Sequence, residues 1–178
     1  MNFCSHCGGP VALKVPADDD RPRFVCPNCD TIHYQNPKLV VGCIPVWNDH
    51  ILMCRRDIEP RKGFWTLPAG FLENGETMAA GARRETLEET GAVVTDLTPY
   101  LMVDIVHIHQ IYMMFRSRLT AKDFHPTRES SEVKLVKEHQ IPWDQIAFMV
   151  IEKTLRHFLR DRLSNGFHFR TDKIEIIR

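Results

Sequence analysis

The pattern of apolar and polar positions beyond residue 37 predicts a series of strands. Residues 39–47 and 51–54 are apolar runs of the kind found in buried strands, and the polar pair between them favours a turn, so they predict a hairpin. Residues 102–119 are rich in β-branched and aromatic side chains and predict two antiparallel strands that turn near His109. Residues 132–136 alternate and predict a further strand after a polar loop.

Two segments have the spacing of helices. Residues 78–90 are rich in Ala, Met, Leu, Glu and Arg, with a start near Thr77 and Gly91 where a left-handed cap is expected. Pro142 is expected to open a second helix, because apolar residues follow it at roughly helical intervals. A mixed sheet between helices, in the α/β class, is the predicted fold. The apolar positions of the second helix are Ile146, Val150, Leu155, Phe158 and Leu159.

Composition limits the classes of partner. The chain has 178 residues, of which 43% are hydrophobic and 26% charged, and its 23 basic and 23 acidic side chains leave a formal net charge of zero. Such a chain has no long-range field to collect nucleic acid or an anionic membrane, so we expect local sites to recognise its partners. No run approaches the roughly 18 to 20 apolar residues of a membrane span, and the first residues lack the pattern of a signal peptide. These features predict a cytoplasmic protein.

Four of the six cysteines form two C-x2-C pairs within the first 29 residues. A segment this short cannot build its own hydrophobic core, and four thiolates can surround a tetrahedral zinc ion. We therefore predict a zinc ribbon over residues 1–36 and a second domain over residues 37–178. The ribbon has three basic and four acidic side chains, which favours a structural or homodimer-forming role over nucleic-acid binding. The predicted zinc ligands are Cys4, Cys7, Cys26 and Cys29.

The predicted first helix places three carboxylates on one face. Glu85, Glu88 and Glu89 are three and four positions apart, and mutual repulsion at about 6 Å costs on the order of 3 kcal/mol. A hard divalent cation, Mg²⁺ or Mn²⁺, would offset this repulsion and could bridge the carboxylates to substrate phosphates. The alternative is a solvated acidic face stabilised by Arg83 and Arg84.

A longer pattern decides between these alternatives. It reads Gly70-x5-Glu76-x7-Arg84-Glu85-x2-Glu88-Glu89-x-Gly91 and resembles the signature box of the Nudix hydrolases. Two positions that usually hold bulky aliphatic residues are Thr86 and Ala92 here.

The resemblance implies an α/β/α sandwich in which the box holds a catalytic divalent metal against a pyrophosphate. It implies that Glu85, Glu88, Glu89 and the carbonyl of Ala69 bind Mg²⁺ or Mn²⁺, that Glu85 acts in catalysis, and that Arg84 pairs with Glu76.

Family members often draw a further glutamate from a loop beyond the box, as metal ligand or general base. Glu129 and Glu132 are the candidates here, and we favour Glu132. His107 and His109 alternate with isoleucines and are left without a role. Residues 167–169 and 174–178 suggest a C-terminal strand or a dimer contact.

The substrate is suggested only by a second resemblance. The layout is similar to bacterial zinc-ribbon Nudix proteins and to plastid enzymes that act on FAD and ADP-ribose. The Ser-Gln-Pro-Trp-Pro-Phe-Pro type of segment that marks NADH pyrophosphatases is absent, because residues 100–106 read Tyr-Leu-Met-Val-Asp-Ile-Val. We therefore expect an Mg²⁺-dependent pyrophosphatase for FAD or ADP-ribose. The alternatives are an NADH or NAD-cap pyrophosphatase and a nucleotide-sensing module without catalysis.

Overall fold

The structure is a computed structural model that describes residues 1–175 and divides into two compact units, residues 1–36 and the chain from Pro37 onward. The first unit is a three-stranded antiparallel sheet. Its buried side chains are mainly cysteine, with little apolar core, as expected of a module that depends on metal ligands. Its strands are β1 (Ala12–Lys14), β2 (Arg23–Val25) and β3 (Ile32–His33).

The second unit is built on one mixed sheet, which confirms the predicted α/β class. The strand order is β10-β5-β4-β9-β8-β11, with β6 beside β5 and β7 beside β4. The β4–β9 and β8–β11 pairs are parallel and the other pairs are antiparallel. The elements are β4 (Lys38–Trp47), β5 (His50–Arg56), β6 (Trp65–Thr66), β7 (Ala69–Phe71), α1 (Met78–Thr90), β8 (Val94–Ile105), β9 (Gln110–Leu119), β10 (Ser130–Val136), α2 (Met149–Ser164) and β11 (Arg170–Ile174).

Each face of this sheet has its own core. Val41 and Cys43 of β4 belong to the cluster that contains Ala82 of α1, whereas Ile44 belongs to the cluster that contains Leu155 of α2. Side chains alternate across a strand, so the same strand supports a helix on either face. This arrangement is the predicted sandwich.

The second helix begins later than its apolar spacing predicts. Pro142 opens only a short 3-10 turn, Trp143–Gln145, and α2 begins at Met149. The intervening backbone pairs with β6, because Ile146 bridges Trp65 and the Ala147 N–H donates to the Trp65 carbonyl at 2.8 Å. Those hydrogen bonds compete with the helix, which sequence spacing does not reveal. None of the helices in the described part of the chain is long and apolar enough to span a membrane.

The chain after α2 returns to the sheet as β11, parallel to β8. Asp161 of α2 accepts hydrogen bonds from Arg170 and from the Tyr100 hydroxyl, the latter at 2.8 Å, and Lys153 donates to Asp172 at 2.7 Å. These contacts attach the strand to the helix. A C-terminal strand does form, but at residues 170–174, between the two segments for which it was predicted. Residues 167–169 have no regular secondary structure, and residues 176–178 lie outside the described residues.

Candidate active site

The helix α1 is fixed at both ends by local hydrogen bonds. The Thr77 hydroxyl accepts from the Ala80 N–H at 3.2 Å, and Gly91 adopts the left-handed conformation with its N–H on the Leu87 carbonyl. A Cβ at Gly91 would also lie 2.3 Å from the His125 ring. Both glycine properties, positive φ and small size, are therefore used here, which fixes the orientation of the helix.

The two unusual residues of the box fit the packing under α1. Thr86 is fully buried, and its hydroxyl donates to the Ala82 carbonyl at 2.7 Å. Ala92 is also fully buried, in the cluster beside Ala82 and Val94. The hydroxyl is satisfied within the helix, so a polar residue is tolerated where a bulky aliphatic is usual.

The glutamates of α1 differ in exposure. Glu85 and Glu89 are only 8% and 5% exposed, whereas the Glu88 side chain is 55% exposed. The solvated-face alternative is therefore wrong for two of the three. The Ala69 N–H donates to the Glu89 carboxylate at 3.0 Å, which ties the helix to β7.

Gly70 in the box is required by the position of Glu85. A Cβ at this residue would lie 2.2 Å from a carboxylate oxygen of Glu85, closer than any van der Waals contact allows. The Glu85 side chain thus lies directly over the backbone of β7. The first glycine of the motif makes room for one of its glutamates.

Arg84 connects the box to the turn that precedes it. Its guanidinium donates to Glu76 at 2.7 and 3.1 Å, to Glu85 at 2.7 Å, to Glu88 at 2.9 Å and to the Phe71 carbonyl at 3.1 Å. Hydrogen bonds from Arg84 lower the pKa of Glu76. With its donors used in this way, Arg84 can position the acids, and it has little capacity left for a substrate.

Burial changes the acidity of the inner glutamates. It raises the pKa of Glu89 to about 8, although the Ala69 N–H opposes the shift, and the nearby Glu85 adds to it. Burial also raises the pKa of Glu85, against the effect of Arg84. Two buried carboxyl groups, one of which raises the pKa of the other, favour a bound cation, because the cation stabilises the charge that water cannot reach.

The carboxylates line a cavity of about 870 Å³, but their oxygens are not drawn together around one point. Within residues 1–175, only the four cysteines form a group of three or more ligating atoms that are all mutually close. Arg84 Nη1 donates to one carboxylate oxygen of Glu85 and to one of Glu88, which leaves the second oxygen of each for another partner. The donor set itself, all oxygen, suits Mg²⁺ or Mn²⁺.

The structure separates the two candidates for the additional glutamate. Glu129 lines the cavity with the α1 acids, whereas Glu132 lies on β10, where it pairs with Lys134 and is 3.9 Å from Arg55. The geometry therefore favours Glu129 over Glu132, and the role of the additional glutamate stays a prediction. The physical reason is that β10 begins at Ser130, so Glu132 follows the strand while Glu129 remains in the loop over the cavity.

The rest of the cavity is largely apolar, and sequence reasoning missed most of it. Arg56 ends β5 there, and its position between an apolar strand and a polar loop was the only sequence signal. His107 lines the cavity, but His109 does not, since it closes the turn between β8 and β9 with φ 53°. The apolar lining includes Val40, Ile105, Ile108, Tyr112, Phe148, Met149, Val150, Ile151 and Ile174.

The ribbon brings its four cysteines together as predicted. All four Sγ atoms lie within 4.8 Å of one another, with Cys4–Cys29 at 3.7 Å and Cys7–Cys26 at 3.5 Å. A tetrahedral zinc with bonds of about 2.3 Å requires sulfur–sulfur distances near 3.8 Å, so this arrangement fits the ion. His33 approaches Cys4 Sγ at 3.3 Å through Nε2.

Both units match known families. Residues 2–35 match the family described as Nudix N-terminal, a zinc ribbon, and residues 36–159 match the NUDIX domain. A NUDIX hydrolase from Nitrosomonas europaea has 50% sequence identity and a TM-score of 0.94, with 98% of this chain and 99% of that chain covered.

More distant relatives have specific names. A NAD-capped RNA hydrolase, NudC, from Vibrio vulnificus is 30% identical over 90% of this chain and 62% of its own length. This chain thus spans about 60% of that relative. A bifunctional NMN adenylyltransferase/ADP ribose pyrophosphatase from Francisella tularensis shares the fold at 21% identity and TM-score 0.57, over 72% of this chain and 42% of that one. By the match of its larger unit and the likeness to the Nitrosomonas protein, the chain belongs to the Nudix hydrolase family, in its zinc-ribbon-containing form.

Proposed function

We propose that this protein is a divalent-metal-dependent pyrophosphatase that cleaves the diphosphate of a nucleotide joined to a second group. The observation that supports this most is the cavity itself. Its lining combines the buried carboxylates of the box with apolar and aromatic side chains. A metal-bound diphosphate suits the carboxylates, and a base or nicotinamide ring suits the apolar and aromatic side chains.

In this proposal Glu85, Glu88 and Glu89, with the Ala69 carbonyl, hold Mg²⁺ or Mn²⁺. The bound cation would supply Lewis-acid polarisation of the phosphoryl oxygens and a more acidic water. Arg84 positions the carboxylates, because its Nη1 donates to both Glu85 and Glu88. Glu129 is the candidate general base, since it lines the cavity and has no salt-bridge partner within the described residues.

The names of the relatives change the expected order of substrates. FAD has no support among them, whereas NAD-capped RNA hydrolases recur among the curated relatives. We therefore rank NADH and NAD-type dinucleotides first, ADP-ribose second and FAD third. ADP-ribose is ranked second because the segment that marks NADH pyrophosphatases is absent from this sequence.

A substrate panel tests both the activity and the order. NADH, NAD⁺, NAD-capped RNA, ADP-ribose, FAD and ADP-glucose are incubated with and without Mg²⁺, and products are separated by chromatography. Metal-dependent release of AMP or of a 5′-monophosphate RNA supports the proposal, and the highest kcat/KM identifies the substrate class. Tight nucleotide binding without product would instead support the nucleotide-sensing module.

The ribbon and the oligomeric state are separate proposals. We assign a structural zinc to the four cysteines, in line with the match to a zinc ribbon. A homodimer is consistent with the half-exposed Phe169 beside β11. Light scattering across a range of protein concentrations tests it, and a monomer throughout would end it.

A further inference from the structure

The cavity that carries the glutamate box is lined by an excess of negative charge. Its two arginines are Arg84 and Arg56, and Arg84 is already bonded to three carboxylates. No carboxylate in the described part of the chain lies within salt-bridge distance of Arg56. An anionic substrate would therefore be repelled by most of the charged lining, and Arg56 is the lining arginine that is free to bind it. The lining acids are Glu59, Glu73, Glu85, Glu88, Glu89, Glu129 and Glu175.

The guanidinium of Arg56 is held in place from two sides. Its Nε donates to the Pro60 carbonyl at 2.8 Å, and its Cζ lies 5.2 Å from the centre of the Phe148 ring. Phe148 is the extended residue that precedes α2 and itself lines the cavity. The two Nη groups have no hydrogen-bond partner among residues 1–175. The side chain is thus ordered while its terminal donors remain available.

The preceding residue provides a natural comparison. Arg55 also donates through Nε to a carbonyl, that of Gly63, at 2.8 Å, but its Nη1 lies 3.9 Å from Glu132. Successive side chains on a strand point to opposite faces, and Arg55 does not line the cavity. Two adjacent arginines therefore share residue type, strand and loop contact, and they differ in access to the cavity and in an acidic partner.

We propose that Arg56 binds the non-bridging oxygens of the substrate diphosphate through its two Nη groups, and that Phe148 holds the guanidinium in the orientation required. This inference rests on the proposed function and specifies what recognises the diphosphate besides the metal. A planar guanidinium presents two parallel donors, which match two oxygens of a phosphate group. The box residues would hold the metal, which would supply charge stabilisation at the diphosphate, and Arg56 would bind non-bridging oxygens of the diphosphate directly.

The binding test uses α,β-methylene-ADP, whose bridging carbon prevents hydrolysis, with Mg²⁺ in isothermal titration calorimetry. Hydrogen bonds between charged groups predict that Arg56→Gln weakens binding by about ten-fold or more, whereas Arg55→Gln changes it less than about two-fold. Adenosine, which has no phosphate, should bind the two variants and the wild type equally. Equal loss of α,β-methylene-ADP affinity in both variants, or none in either, overturns the inference.

Kinetics and further variants distinguish binding of substrate by Arg56 from a merely structural role of its hydrogen bond to the Pro60 carbonyl. Arg56→Gln should raise KM more than it lowers kcat, and Arg56→Lys should recover part of the KM, because charge returns without the paired donors. Phe148→Leu should raise KM in the wild type and add nothing in the Arg56→Gln background. Additive effects of the two changes would contradict the coupling.

The two proposals fail in different ways. A wild type that hydrolyses no member of the substrate panel ends the proposed function. An active wild type whose Arg56→Gln variant retains wild-type KM ends only the role of Arg56. Thermal melting of each variant shows whether the fold is intact, and Phe148→Leu still tests the arrangement if Arg56→Gln does not fold.

Discussion

The ribbon and the larger unit each gather candidate metal ligands, and they do so in different ways. In the ribbon, four thiols from two short loops lie within 4.8 Å of one another. In the larger unit, the carboxylates of α1 line an open cavity, and Arg84 holds two of them. Four protein ligands complete the shell of a structural ion, whereas a reactive ion must keep positions for water and substrate.

The difference also appears in what each site contributes to folding. The ribbon has few buried apolar side chains, so we expect its stability to depend on a bound metal. The larger unit has extensive cores on both faces of its sheet, so it can bear two buried acids in a region that opposes their ionisation. One site is therefore expected to stabilise the protein when metal binds, and the other to carry an energetic cost until metal binds.

The largest effect is expected from a substitution in the four-cysteine site of the ribbon. Cys26→Ser should abolish stoichiometric zinc and unfold residues 1–36, since zinc contributes on the order of 10 kcal/mol to such modules. Metal analysis and amide NMR dispersion measure this. Cys43→Ala, outside the ribbon, is the control and should retain zinc. Zinc-free wild-type protein prepared without chelator would contradict the structural assignment.

Removing one buried carboxylate of the glutamate box should abolish activity without unfolding the protein. Glu89→Gln keeps the shape of the side chain and its contact with the Ala69 N–H, so the fold should persist while the Mg²⁺-dependent rate falls by about 1,000-fold or more. Steady-state rates and thermal melting measure the two effects. Glu132→Gln is the matched control on β10. Activity within a few-fold of wild type in Glu89→Gln would return the acids to a non-catalytic role.

The pH dependence of stability sharpens the contrast. Because burial raises the pKa of Glu89 from 4.5 to about 8, the folded state retains a proton that the unfolded state has lost. The free energy of unfolding should therefore fall as pH rises from about 4.5 to about 8 and level off above it, by on the order of a few kcal/mol.

Urea unfolding in magnesium-free buffer measures this slope. Glu89→Gln should remove the part of the pH dependence that Glu89 causes, and Glu132→Gln should leave the pH dependence unchanged. Mg²⁺ should stabilise the wild type more at pH 8 than at pH 6, since the cation binds the ionised carboxylate. Identical slopes for wild type and Glu89→Gln would show that this acid ionises freely in the folded protein.

The smallest effect concerns the loop before β10. Glu129→Gln should lower kcat by about 10- to 100-fold if it acts as general base, while Glu132→Gln should leave kcat near the wild-type value. The pH–rate profile of Glu129→Gln should also lose one limb, which a structural defect would not produce. A larger loss of kcat in Glu132→Gln than in Glu129→Gln would favour Glu132 as the general base.

The sequence predicts structural features well where the interactions that form them are local. The helix of the box, its cap at Gly91 and the two cysteine pairs follow from spacing, because residues a few positions apart have fixed relative geometry in a helix or a knuckle. The sequence predicts α2 less well. The spacing favoured a start at Pro142, but residues 146–147 bond to Trp65 of β6, which lies more than eighty residues earlier in the chain.

The sequence by itself therefore determined the fold class, the sulfur site and the set of box glutamates. Only the tertiary structure decided which loop glutamate reaches the cavity, that Glu85 and Glu89 are buried, and that Arg56 meets Phe148 there. The physical reason is that spacing specifies which face of an element a side chain occupies, but not what lies opposite that face. What lies opposite depends on how β5, α2 and the loop before β10 converge, and this is set by packing across the whole sheet.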